Sequence, residues 1–198
     1  MRILAGAFKG RVLPTLEAEG CRPAMAMVRE ALFSMLEARG QAMPEALVLD
    51  VFAGTGSLGL EALSRGAAFA CFLERNKTLA RRLAENCRAL GLAGNRFKVA
   101  AGDALKTLAR PPLAPFDVVF VDPPYGLDLL APTLDLLASK GWLAEDAMVV
   151  AEVESRLTVT TWPAAFEPQA DRTYGQTRIL LWRHRTLTPL STPEPSIP

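Results

Sequence analysis

A single histidine, His184, stands in 198 residues, and no cluster of possible ligands accompanies it, which argues against a histidine-based metal site. Cysteine is scarce as well: Cys21, Cys71 and Cys87 are odd in number, widely spaced and without a Cys-x-x-Cys pair. That speaks against a disulfide framework and a zinc site, and leaves three ordinary reduced thiols, partly buried. No apolar stretch approaches the ~20 residues of a membrane span. Met1-Arg2-Ile3-Leu4 runs into Gly6, Lys9, Gly10 and Arg11 rather than into a signal-peptide core, so a cytoplasmic protein without metal or membrane is expected.

Net charge is almost absent too, at +1, but it is unevenly spread. Residues 1–29 hold Arg2, Lys9, Arg11, Arg22 and Arg29 against Glu17 and Glu19, a balance of +3. Residues 172–185 hold Arg172, Arg178, Arg183 and Arg185 with no acid, and everything else sums to −6. Basic ends on an acidic body predict a localised face for a polyanion, with the five N-terminal cations as candidate phosphate contacts. A composition of 50% hydrophobic and 22% charged residues is enough for one globular domain with a full core.

What is present begins with Leu47-Val48-Leu49-Asp50-Val51-Phe52-Ala53-Gly54-Thr55-Gly56-Ser57-Leu58-Gly59. The apolar run to Phe52 reads as a strand buried on both faces, and Leu58, Leu60, Ala62 and Leu63 continue at helical spacing. A strand, a glycine turn and a helix place a small-molecule site at the strand's carboxyl end. Gly54, Gly56 and Gly59 satisfy the dinucleotide fingerprint, and Glu74 lies at the offset of an acid that grips a ribose. Asp50, four residues before Gly54, would repel a pyrophosphate and attract a cation, which favours S-adenosylmethionine with its sulfonium and ammonium groups over a nicotinamide dinucleotide.

The rest of the chain alternates strand and helix. Strands are predicted over residues 69–74, 96–100, 116–121 and 147–153, and helices over 24–38, 77–90 and 127–138, with a short helix opened by Asp103. Residues 166–173 and 177–183 flank Tyr174-Gly175-Gln176 as an edge hairpin. The expected fold is α/β, a doubly wound, mostly parallel, seven-stranded sheet with that antiparallel hairpin and a small N-terminal extension. Residues 1–43 form the extension, a hairpin and helix facing the polyanion, residues 44–185 the core, and residues 186–198 a disordered tail.

Asp50, Glu74, Asp103 and Asp122 fall at or after four successive strand ends, where Glu74 can accept two ribose hydroxyls and Asp103 an adenine amine. Asp103 is equally well placed to cap a helix. Asp122-Pro123-Pro124-Tyr125 is the most specific stretch. Asp122 and the Pro123 carbonyl can accept the two N–H bonds of an exocyclic amine on a base and aim its lone pair at a methyl group, while the prolines stiffen the turn. Tyr125 offers a flat surface for stacking the base.

This motif resembles the Asp/Asn-Pro-Pro-aromatic signature of amino-methyltransferases. With residues 2–6, Gly10-Arg11, Arg22-Pro23, residues 28–33 and residues 52–67 in colinear order, the chain from 1 to about 185 is similar to the bacterial 16S ribosomal RNA guanine-N2 methyltransferase family. The resemblance implies a class I methyltransferase core and S-adenosylmethionine as cofactor, bound by Asp50, Phe52, Ala53, Gly54, Thr55, Gly56, Glu74, Arg75, Asp103 and Ala104. It implies catalysis by Asp122, Pro123, Pro124 and Tyr125, and a monomer acting on 16S rRNA, free or within a partly assembled small subunit. Ala24-Met25-Ala26-Met27 departs from the family, which has a threonine after Arg-Pro and polar residues before Val-Arg-Glu, so a hydroxyl contact from that segment is missing. An adenine-N6 methyltransferase shares the catalytic features, a nicotinamide oxidoreductase shares only the glycine loop, and a non-catalytic ribosome-assembly factor leaves the Asp122 motif idle.

Overall fold

The computed structural model describes residues 1–14, 23–159 and 161–186; Cys21, Arg22 and the tail beyond residue 186 lie outside them. Helix α1 (Pro23–Glu37) precedes the alternating units β1 (Leu47–Val51), α2 (Ser57–Ser64), β2 (Phe69–Glu74), α3 (Lys77–Ala89), β3 (Phe97–Ala101) and α4 (Ala104–Leu108). β4 (Phe116–Val121), α5 (Leu130–Ser139), β5 (Leu143–Glu154), β6 (Phe166–Tyr174) and β7 (Thr177–His184) follow. The seven strands lie in the order β3-β2-β1-β4-β5-β7-β6. β1 to β5 pair in parallel, and β7 pairs antiparallel with both β5 and β6. Chain order reverses beside β1, between β1 and β4, and in such sheets the crevice over that point receives the ligand.

Period-two alternation divides the central strands between two cores. Val48, Phe72, Val118, Phe120, Met148 and Val150 pack under α1, α2 and α3 with Phe33, Leu60 and Leu83. Leu49, Leu73, Val119, Val121, Val149 and Ala151 face α4 and α5 with Leu108, Leu134 and Leu137. α4 is only 5 residues long. The Trp142 indole fixes its end by donating to the Leu108 and Arg110 carbonyls, 3.0 Å from each.

Several boundaries differ from the sequence reading, each for a local reason. β1 stops at Val51 because Phe52 turns to φ 64. β5 starts at Leu143, which pairs with Phe116; a register shift follows, and Asp146 at φ 61 sits inside it. The charged pair Glu145-Asp146 hides this bulged start from a pattern of alternating apolar residues. α5 begins at Leu130 rather than Leu127, since Asp128 takes φ 47. The edge hairpin turns on two residues, Gly175 and Gln176, because Tyr174 and Thr177 already pair.

The N-terminal segment departs most from a separate extension. Its hairpin is one isolated bridge, Arg2 to Val12, and Ile3 and Leu13 belong to the same core as β1 and β4. The buried Glu61 carboxylate on α2 accepts from the Leu4 and Ala5 amides at 2.8 and 2.9 Å and from Arg65 Nε at 3.0 Å. Ser64 completes the clamp: its carbonyl takes the Ala7 amide and its hydroxyl takes the Phe8 amide. Gly6 passes so close that a Cβ there would sit 1.8 Å from the Ser64 carbonyl oxygen.

Candidate active site

The glycine turn after β1 is closed on itself. The Ala53 amide donates to the Leu73 carbonyl at 2.9 Å, the Gly56 amide to the Ala53 carbonyl at 2.7 Å, the Gly54 amide to Glu74 Oε2 at 2.8 Å and the Gly59 amide to Asp50 Oδ2 at 2.9 Å. Those four N–H groups are therefore unavailable to a phosphate, and two of them already hold carboxylates. Gly59 is required by space: a Cβ would lie 2.3 Å from the Phe72 ring and 3.1 Å from Asp50 Oδ2.

A cleft of about 1120 Å³ opens over the carboxyl ends of the parallel strands. Phe52, Glu74, Arg75, Asp103, Ala104, Asp122, Pro123, Pro124 and Tyr125 all line it. Glu74 ends β2 and is 8% exposed; its Oε1 also accepts from the Asn76 amide at 2.6 Å, which fixes the carboxylate at the cleft wall with lone pairs to spare. Asp103 caps α4, its Oδ1 accepting from the Lys106 amide at 3.0 Å. Capping engages one of its two oxygens, so the cap and a ligand contact are compatible.

Asp50, Ala53, Gly54, Thr55 and Gly56 do not line the cleft. Asp50, 2% exposed, lies beneath the turn as a brace for the start of α2, not as the ligand-facing anion expected from the sequence. Burial, opposed by the Gly59 N–H and aided by Glu74, pushes its pKa up to about 7. The strand-tip Asp122 is the reverse case: its side chain is open to the cleft although β4 is buried. Protein surrounds it on the other sides, and that loss of hydration, with the charges of Glu152 and Asp50, holds its pKa well above the usual carboxylate range. Pro123 is buried, Pro124 is exposed, and Tyr125 is 53% exposed at the rim with the Thr177 hydroxyl beside its phenol.

The structure also brings in residues that sequence reasoning missed. Leu73, Asn76, Leu105, Leu127 and Leu129 complete the cleft wall. Asn76 carried a signal, since its side chain caps α3 through the Thr78 and Leu79 amides. Glu152 carried another, an acid inside the apolar run of β5.

The cations divide differently from the charge count. Arg2, Lys9 and Arg11 are exposed, and Arg11 reaches the Ala89 carbonyl at 3.1 Å. Arg29 corrects the sequence reading: at 7% exposure it is an internal strut, donating to the Arg2 carbonyl at 2.7 Å with its Nε 3.8 Å from Glu61 Oε2. Arg22 lies outside the described residues. At the C-terminal end Arg178 pairs with Asp171, and Arg185 with Glu167 and Asp146, so that stretch is largely neutralised. No helix among the described residues is long and apolar enough to cross a membrane.

Known proteins share this chain's sequence and fold. The chain is 38% identical over 183 residues to ribosomal RNA small subunit methyltransferase D of Escherichia coli K12, covering 92% of this chain and 89% of that protein. The solved structure of the E. coli protein yhhF superposes with a TM-score of 0.83 at 36% identity, over 93% of this chain and 98% of that one. The Thermus thermophilus 16S rRNA N2 methyltransferase RsmC, in complex with AdoMet and guanosine, shares the fold at a TM-score of 0.67 and 19% identity, over 93% of this chain and 49% of that one. The sheet is thus that of a class I methyltransferase, and with the family model for conserved hypothetical protein 95 matching residues 1–183, the chain belongs to that family.

Proposed function

We propose that this protein transfers a methyl group from S-adenosylmethionine to the exocyclic N2 amine of a guanine in 16S rRNA. The observation that carries this reading is the single cleft in which Asp122-Pro123-Pro124-Tyr125 faces the acid pair Glu74 and Asp103. The donor set fits the cofactor: Glu74 has acceptor capacity for two ribose hydroxyls, Asp103 for an adenine amine, and Phe52 and Leu105 supply apolar wall. Carboxylates around the crevice favour a cationic ligand over a pyrophosphate. The cofactor supplies an electrophilic methyl group on a sulfonium. Asp122 and the Pro123 carbonyl accept the two N–H bonds of the amine, which turns its lone pair out of conjugation with the ring. Tyr125 stacks on the base and holds it in that orientation. The names of the relatives support ribosomal RNA as the acceptor.

The test is to incubate the protein with labelled cofactor and either free 16S rRNA or small subunits, then to identify the methylated nucleoside by digestion and map it. N2-methylguanosine is expected; N6-methyladenosine would replace the proposal with the adenine reading, and no label with the assembly-factor reading.

For the cofactor, Glu74→Ala is expected to weaken S-adenosylmethionine binding by about 1–3 kcal/mol, the range for a lost hydrogen bond that leaves a buried partner unsatisfied. Calorimetric titration reads this directly, and unchanged affinity would remove Glu74 from the site.

For the RNA, phosphate contacts are assigned to the exposed Arg2, Lys9 and Arg11. Arg11→Ala should flatten the log–log salt dependence of RNA affinity by roughly 0.7–0.9, the share of one phosphate contact. A slope and affinity identical to wild type would make Arg11 a solvated surface group. Arg29→Ala is expected to act on stability instead, because that side chain is buried.

A further inference from the structure

Residues past β1 toward β3 hold Glu74 and Asp103, so an acceptor base that meets Asp122 from outside the cofactor cleft comes from the β5 side of β4. The group waiting there is Glu152. Val121 pairs with Ala151, so Asp122 and Glu152 are level on adjacent parallel strands. Phe120 and Val150, the residues two positions earlier, both face the α1–α2–α3 core. Continued alternation puts the two carboxylates on that same side of the sheet, and Glu152 is the leading charged influence on Asp122. Glu152 is half-buried and has no hydrogen-bond donor among the described residues apart from its strand pairing. Burial works against its charge and the internal Arg29 works for it. A half-buried carboxylate with spare acceptor capacity, next to the reacting acid, is a place for a donor from the substrate.

We infer that Glu152 reads the base: its carboxylate accepts the N1–H of the target guanine while Asp122 accepts the neighbouring N2–H. The inference rests on the guanine-N2 reading above and adds the origin of its selectivity. Guanine presents two adjacent donors, N1–H and N2–H, along one edge. Adenine presents a donor beside the unprotonated N1, and cytosine a donor beside the unprotonated N3. Two side-by-side acceptor groups match the first edge, and in the other two they set an oxygen lone pair against the lone pair of an unprotonated ring nitrogen. The cost of such a mismatch is what makes polar sites selective.

The probe is an RNA substrate carrying 2-aminopurine at the mapped target, which keeps the N2 amine and lacks the N1–H. Wild-type enzyme should methylate it about 10- to 100-fold less efficiently than guanine, the factor for one charge-assisted hydrogen bond lost and one carboxylate left facing a lone pair. Glu152→Gln should lower kcat/KM for guanine and raise the 2-aminopurine to guanine ratio toward one, since an amide can donate to N1. S-adenosylmethionine affinity should stay at the wild-type value in this variant, which establishes that it is folded. A ratio in Glu152→Gln equal to wild type, with N2-methylguanosine still the wild-type product, overturns the assignment to Glu152 and leaves the guanine reading standing. A wild-type product other than N2-methylguanosine overturns both.

Discussion

An Asp122→Ala enzyme is expected to bind S-adenosylmethionine nearly as tightly as wild type and to transfer the methyl group ~10²–10³ times more slowly in a single turnover, the scale for removing one preorganised polar group from a transition state. The expectation follows from where the side chain sits. Asp122 is open to the cleft, locked by the buried Pro123, and separated from the Glu74 end of the same cavity by the width of β1. Removing it deletes the proposed acceptor for the amine without touching Glu74 or Asp103, the acids proposed to hold the cofactor. Asp122→Asn keeps one acceptor oxygen and loses the charge that steadies a developing positive nitrogen, so its loss should be smaller. Tyr125→Ala should act mainly on RNA affinity, by about 1–3 kcal/mol for a lost stacking partner. The measurement is rapid-quench methyl transfer with cofactor and RNA both saturating. An Asp122→Ala enzyme at the wild-type rate would reduce the motif to a strand terminator.

Glu61→Ala should destabilise the fold by about 3–5 kcal/mol, the range for removing one partner of a buried charged network. Glu61 is 0% exposed, and its two oxygens hold the Leu4 and Ala5 amides and the Arg65 guanidinium, with Arg29 3.8 Å away. The alanine variant strands two backbone donors and leaves two cations with diminished compensation. Glu61→Gln should lose less, because the amide oxygen can still take one of the backbone donors. Urea unfolding followed by far-UV circular dichroism reads the difference as a lower midpoint at similar slope. An unchanged midpoint in Glu61→Ala would mean that the N-terminal segment is held by apolar contacts of Ile3 and Leu13 alone.

The parts of this protein legible in its sequence are those fixed by neighbours along the chain. Phe69–Glu74 and Phe116–Val121 are strands with the bounds read from their apolar runs, and Asp103 caps the helix it precedes. Asp122, Glu74 and Asp103 converge because each stands at a strand tip and parallel strands bring their tips to one edge. What escaped depends on partners far away in the chain. Glu61 reads as an ordinary surface acid of an amphipathic helix until residues 4 and 5 fold onto it, 57 and 56 positions away. Arg29 reads as a surface cation until Arg2 and Glu61 enclose it. Asp50 was expected to face a ligand, but Gly59, lacking a side chain, lets α2 come down over it. Glu152 becomes notable only when β5 takes its register beside β4.

The buried acid under the glycine turn has a thermodynamic consequence of its own. A free aspartate gives up its proton near pH 4, whereas Asp50 in the fold keeps it up to about 7, and Asp122 is displaced in the same direction. Between those limits the folded chain holds protons that the unfolded chain has released, so stability declines as the pH rises through the window, the opposite of the usual acid-denaturation contribution from paired carboxylates. Near pH 6 folding is then also a binding reaction, with about one proton taken up at Asp50 from the buffer. The heat of unfolding will accordingly depend on which buffer receives that proton.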